Sequence, residues 1–280
     1  MSNANDAGAV RNGLSQSDDA ISKALVHARK SAQTMTEFPG ATPESMAQAY
    51  AIQSASIARW PDDVAGWKVG ALPPALHERY ATDRLAGPIY RSQIHTVQPD
   101  SSTAMPIYVG GFAAVEAEFV FRFGRTVAPV ERDYSDQALI DMIAALHVGS
   151  EIASSPIADI NALGPTVVVS DFGNNAGLLV GPEIPDWPSA NLEDLVSKVL
   201  VDGEVVGVAS AASLPGGPLA ALRFIVSLCA SRGLALTAGT MISTGATTGI
   251  HEVETTSQSR VEFGKYGGFN VTFSPMADRA

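Results

Sequence analysis

Glu116 and Glu118 are the residues whose spacing first suggests chemistry. They lie in the run Val115-Glu116-Ala117-Glu118-Phe119-Val120-Phe121-Arg122-Phe123, where every odd position is apolar. That alternation predicts a half-buried strand with its odd residues toward the core. The two glutamates then share the opposite face with β-carbons about 7 Å apart. Carboxylates this close repel each other, and glutamate is disfavoured in strands. A hard cation between them removes the repulsion, and oxygen-only ligands suit magnesium, manganese or calcium. A solvated strand face with two ordinary acids explains the same tripeptide, and this segment alone leaves both readings open.

Three further places carry candidates. Glu151 follows the apolar run 144–148 and a Gly149-Ser150 break, so it can start the next strand and bring a third carboxylate beside the first two. Lys68, in Gly66-Trp67-Lys68-Val69-Gly70, is flanked by apolar residues and bracketed by glycines. There it can face a crowded site and pair with a carboxylate, or lie on an exposed edge strand. The stretch 239–249 is rich in threonine and glycine, and a turn of that composition offers amides and hydroxyls, including those of Thr244 and Thr247, to an oxyanion. His147 reads as a hydrogen-bonded histidine of the core or its edge, and Cys229 as a buried, inert thiol.

The elements that must position these groups are readable in part. Residues 1–17 are polar and read as a disordered leader, and residues 18–80 as an N-terminal helical region. Within it, Ile21, Leu25 and Val26 suit one helix to about residue 35. Thr42-Pro43-Glu44 suits the start of a second, which runs to about Arg59. Residues 81–280 read as the catalytic domain, dominated by strands, with helices expected at about 135–146, 191–199 and 217–232. Asp202-Gly203 predicts a tight hairpin turn. Strands and single helices alternate without a regular βαβ period, so the expected class is α+β with a mixed β-roll.

Composition narrows the partners. The 280 residues carry 29 acidic and 18 basic side chains, a formal net charge of −11. That balance argues against nucleic acid or an anionic membrane as the main partner. A small anionic substrate stays compatible, because a bound metal and one lysine reverse the local field. The polar N-terminus resembles neither a signal peptide nor a membrane span, and the single cysteine fits a reducing compartment, so a cytoplasmic location is expected.

Taken together, these segments resemble the fumarylacetoacetate hydrolase superfamily, in its branch of 2-keto-4-pentenoate hydratases and 2-oxo-acid decarboxylases. The resemblance covers about residues 45 to 275. It rests on Tyr50-Ala51-Ile52-Gln53, Gly66-Trp67-Lys68-Val69-Gly70, Glu116-Ala117-Glu118, Glu151-Ile152, the segment 236–245 and the segment 261–267. It implies that Glu116, Glu118 and Glu151 hold Mg2+ or Mn2+, which the 2-oxo and carboxylate oxygens of a substrate chelate. Lys68 and Asp83 would then be catalytic, and Asp171, Thr244 and Thr247 would contact substrate. The implied activity is a hydratase or lyase acting on a small 2-oxo acid similar to 2-keto-4-pentenoate, as in the catabolism of aromatic compounds, and the implied assembly is a homo-oligomer. A decarboxylase or C–C hydrolase on the same scaffold, or a ligand-binding member without activity, is the alternative. The chain departs from the branch at Leu85, at Pro156 and at Phe172, where a bulkier or more apolar substrate is one reading.

Overall fold

The structure, a computed structural model, describes residues 14–278. Residues 1–13, most of the expected leader, lie outside the described residues. Two helices open the described chain, α1 (Gln16–Lys30) and α2 (Met46–Arg59). Each is capped by a serine: Ser15 accepts from the amide of Asp18, and Ser45 from that of Gln48. The second helix therefore starts at the serine, three residues beyond the expected Thr42-Pro43 start.

The strands follow: β1 (Val64–Ala71), β2 (Arg84–Tyr90), β3 (Ile94–Thr96), β4 (Ser102–Ile107), β5 (Phe112–Phe123), β6 (Ile143–Ser155), β7 (Asn175–Glu183), β8 (Val196–Val201), β9 (Glu204–Ser210), β10 (Met241–Ser243), β11 (His251–Glu252), β12 (Gln258–Glu262) and β13 (Gly268–Pro275). The remaining α-helices are α3 (His77–Tyr80), α4 (Asp136–Ile140), α5 (Ile160–Leu163), α6 (Pro165–Ser170) and α7 (Gly217–Ser231). One sheet runs β2-β1-β10-β5-β6-β7-β3, with β11 also pairing β5, and a second runs β4-β13-β12-β8-β9. The architecture is the expected mixed α+β roll. No helix among the described residues is long and apolar enough to cross a membrane.

Two expected helices are corrected. The helix expected at 135–146 stops at Ile140, and residues 143–155 form the long strand β6. The helix expected at 191–199 is a single 3-10 turn, Leu192–Asp194, followed by β8. Short apolar runs fit either periodicity, and here pairing with a neighbouring strand decided. The helix expected at 217–232 and the turn at Asp202-Gly203 are present, and both turn residues have positive φ.

The odd residues of β5, from Ala113 to Phe123, face the main core, which the second sheet and α7 complete through Val199, Val261, Phe269, Leu222 and Ile225. The other face of the large sheet is covered as well. Phe112, Ala114 and Ala153 pack with Ile21 and Leu25 of α1, Ile52 of α2 and Val167 of α6. The N-terminal helices thus roof the face that carries the glutamates. This removes the solvated-face reading, since Glu116 is 5% exposed and Glu118 is fully buried.

Candidate metal centre

Strand register builds the site. In the antiparallel pair β5–β6, Glu116 stands opposite Glu151 and Glu118 opposite Gly149. On the other side of β5, Ser243 of β10 stands opposite Val120, and Lys68 of β1 stands opposite Ser243. Directly paired residues share a face. Lysine, serine and the three glutamates therefore converge beneath the helical roof. One carboxylate oxygen from each of Glu116, Glu118 and Glu151 lies within 4.8 Å of the others.

The carboxylates divide their oxygens. Glu118 Oε2 accepts from Ser243 Oγ and, at 2.7 Å, from the Gly245 amide, whereas its Oε1 is buried without a hydrogen-bond partner. Glu151 Oε1 accepts from Asn175 Nδ2 at 2.9 Å. Its Oε2 has an ion-pair contact of 3.3 Å with Lys68 Nζ, at an angle that makes no hydrogen bond. Buried polar atoms are almost always satisfied, and an isolated buried charge costs several kcal/mol. Glu118 and Glu151 each have one oxygen held by hydrogen bonds and one without any, and this arrangement of hard carboxylates on one face fits a divalent cation.

Proton affinities report the same crowding. Burial, reinforced by the charge of Glu151, pushes the Glu116 carboxyl up to about 8. Burial and the charges of Glu151 and Glu116 raise Glu118 well above the carboxylate range, against the opposing Ser243 hydrogen bond and Lys68. Burial alone would lower Lys68, but the charges of Glu151, Glu116 and Glu118 outweigh it and hold the ammonium above its ordinary value. Without a cation, burial and mutual repulsion therefore favour the protonated forms of Glu116 and Glu118.

A cavity of about 680 Å³ opens onto this cluster. Lys68, Glu116, Thr244 and Gly245 line its inner end, and Leu72, Leu163 and Val168 are among its apolar walls. Thr244 reaches the cavity, with its hydroxyl donating to the Phe119 carbonyl. Thr247 lies behind it, where its hydroxyl donates to the Ala117 carbonyl and bonds Ser197 Oγ. Asp83 is half exposed and paired with Arg84, outside the cavity lining. Asp171 is fully buried in an ion pair with Arg29, also outside the lining. Leu85 borders the cavity, whereas the Phe172 ring packs against Trp60 and Tyr90 instead.

Sequence reasoning missed Asn175, Ser243 and Arg29. Arg29 did carry a signal, because Ile21, Leu25 and residue 29 recur at steps of four and place the arginine on the buried stripe of α1. Asn175 carried none, and Ser243 lay within the candidate stretch 239–249, but that each meets a glutamate came only from tertiary pairing.

Comparison with known structures now bears on the fold. The chain superposes on 4-oxalocrotonate decarboxylase from Pseudomonas putida G7, complexed with calcium and acetate, with a TM-score of 0.77 at 20% identity, over 92% of this chain and 98% of that one. The two share a fold, the mixed α+β roll that the resemblance implied. A second structure of the same decarboxylase, with magnesium and adipate, gives 0.75. Fumarylpyruvate hydrolase from Pseudomonas aeruginosa, in complex with Mn2+ and pyruvate, gives 0.54 at 16% identity over 75% of this chain and 88% of that one. By sequence, a 4-oxalocrotonate decarboxylase from Pseudomonas sp. is 26% identical over 167 residues, 59% of this chain. That match spans 61% of the curated relative's length. No protein-family model matches the chain. These hydrolase-fold neighbours were solved with divalent cations, which agrees with the chemistry of the three carboxylates.

Proposed function

We propose that this chain is a divalent-metal-dependent lyase that decarboxylates a small 2-oxo acid. The observation that carries the reading is the convergence of Glu116, Glu118 and Glu151 within 4.8 Å, beside Lys68 and at the inner end of a cavity. The three glutamates would hold the ion, Mg2+ or Mn2+. Once bound, it would polarise the 2-oxo group and stabilise the negative charge that grows on that oxygen. Three carboxylates and a divalent ion leave a net negative charge, which Lys68 neutralises so that an anionic substrate can enter. Ser243 and the Gly245 amide hold Glu118 in place, so this ligand needs no rearrangement when substrate binds. Thr244 borders the inner end, but its hydroxyl and amide both donate to the Phe119 carbonyl, so it would shape that end and not bond the substrate's oxygen atoms.

The remainder of the substrate lies along Leu72, Leu163 and Val168. The carboxylate that departs would lie within the cavity, whose lining also includes Arg79, Arg84 and Asn161. The carbon–carbon bond to that carboxylate breaks, its electron pair passes through the conjugated chain to the 2-oxo oxygen, and a proton returns to carbon. Decarboxylation is preferred over hydration because both a similar structure and a relative by sequence are 4-oxalocrotonate decarboxylases. The test is to supply 4-oxalocrotonate with Mg2+ and measure CO2, beside 2-hydroxypenta-2,4-dienoate for hydration and an acylpyruvate for C–C hydrolysis. CO2 release that disappears with EDTA supports the reading. Turnover of the dienoate or acylpyruvate alone replaces it with that reaction, and turnover of none refutes it.

A further inference from the structure

Arg29 is 2% exposed at the last turn of α1, a cost that a surface helix has no reason to bear. All three nitrogens of its guanidinium make hydrogen bonds. Nε and one terminal nitrogen grip Asp171 Oδ1 and Oδ2 at 2.5 and 2.9 Å. The same nitrogen donates to the carbonyls of Asp171 at 2.9 Å and Ser154 at 3.2 Å, and the other donates to the carbonyl of Asn175 at 2.9 Å. Ser155 Oγ completes the cluster by donating to Asp171 Oδ2 at 2.6 Å.

The segment between the two gripped residues is unusual. Phe172, Gly173 and Asn174 have φ of 55°, 65° and 55°, three successive left-handed residues. Non-glycine residues enter that region only at a conformational cost, and such turns persist where their surroundings over-determine them. Arg29 holds both ends of the turn, Asp171 before it and Asn175 after it. The first residue out of the turn is the one whose amide meets Glu151: Asn175 Nδ2 donates to Oε1 at 2.9 Å. Asn175 is 2% exposed and its Oδ1 has no partner. Its other Nδ2 contact, to the Gly177 carbonyl, is long at 3.5 Å, so the bond to Glu151 is what orients the side chain.

We propose that Arg29 and Asn175 are positioning residues of the metal centre. Arg29 clamps the left-handed turn, and the turn presents Asn175 so that its amide fixes Glu151 Oε1 and leaves Oε2 for the cation. The inference rests on the metal reading above. It makes α1 a working part of the site rather than an accessory arm.

The test is Mn2+ binding by calorimetry and electron paramagnetic resonance on the full chain, as wild type, as Asn175→Ala, and as Arg29→Met combined with Asp171→Leu. The double substitution removes both buried charges together and avoids an unpaired one. Loss of an outer hydrogen bond to a ligand weakens metal binding about 10- to 100-fold. Both variants should show that loss, with an altered spectrum of bound Mn2+ and unchanged circular dichroism. A purely structural role would lower the melting temperature and leave affinity and spectrum as in wild type, which overturns the proposal. If the double variant does not fold, Asn175→Ala decides alone. Failure of the wild type to bind Mn2+ sinks the metal reading and this inference together, whereas equal binding by wild type and folded variants sinks only the inference.

Discussion

Replacing Glu116 by glutamine should make the metal-free protein more stable at neutral pH while removing its response to metal. Glu116 has a carboxyl pushed up to about 8 in the folded chain, against an ordinary value of 4.5. The folded pKa is the higher one, so the folded state binds the proton more tightly than the unfolded state does. The associated stability is fully present below about pH 4.5 and is lost as pH rises through 8. Each pH unit in that window costs about 1.4 kcal/mol, so the loss at pH 7 is about 3 kcal/mol. Glutamine keeps the shape and does not titrate. Thermal unfolding in EDTA should therefore show Glu116→Gln gaining on wild type by about 3 kcal/mol between pH 4.5 and pH 7, or at least about 6 °C for a domain of this size. Saturating Mg2+ nearly cancels that advantage: at a hundredfold excess over its dissociation constant it stabilises wild type by about 2.7 kcal/mol. The variant, with a ligand lost, should shift little. Parallel pH profiles of the two proteins in EDTA, or equal stabilisation of both by Mg2+, would refute the account of the cluster.

Other outcomes follow from the same geometry. Lys68→Met removes the cation that balances the glutamates, so Mn2+ binding should persist while affinity for oxalate and turnover of a 2-oxo acid fall; unchanged kinetics would take Lys68 out of the site. Arg29→Met alone strands Asp171 as a buried, unpaired carboxylate, and chemical denaturation should show a loss of about 3–5 kcal/mol; a loss below 1 kcal/mol would mean that the pair is not buried in solution. Gly87 stands opposite Lys68, and a β-carbon there would lie 2.1 Å from the Phe172 carbonyl oxygen. Gly87→Ala must therefore move backbone, and a destabilisation of at least about 1–3 kcal/mol is expected in urea melts, with weaker metal binding. Asp83→Asn changes a half-exposed carboxylate that does not line the cavity, although its buried partner Arg84 does, so turnover within about twofold of wild type is expected, and a hundredfold loss would return Asp83 to the chemistry.

What the sequence by itself determined is local. The two-residue period of β5 put Glu116 and Glu118 on one face and the alternating apolar residues on the other, because strand geometry depends only on the chain's own pleat. The Asp202-Gly203 turn and the glycine-proline start of α7 were legible for the same reason, as each is a conformational preference of adjacent residues. The irregular alternation of strand and helix patterns indicated the α+β class, and the resemblance of separated motifs agreed with it. Pairing was not legible. Residues 143–148 fit a helix as well as a strand until β5 lay beside them, and only that register set Glu151 opposite Glu116. Lys68 reached the cluster through a parallel pairing with Ser243, and Arg29 through a contact with Asp171, 142 residues away. Whether the glutamate face met water or a roof was likewise decided in three dimensions. Side-chain period is a property of neighbours in sequence, whereas burial, register and charge partners belong to residues that only folding brings together.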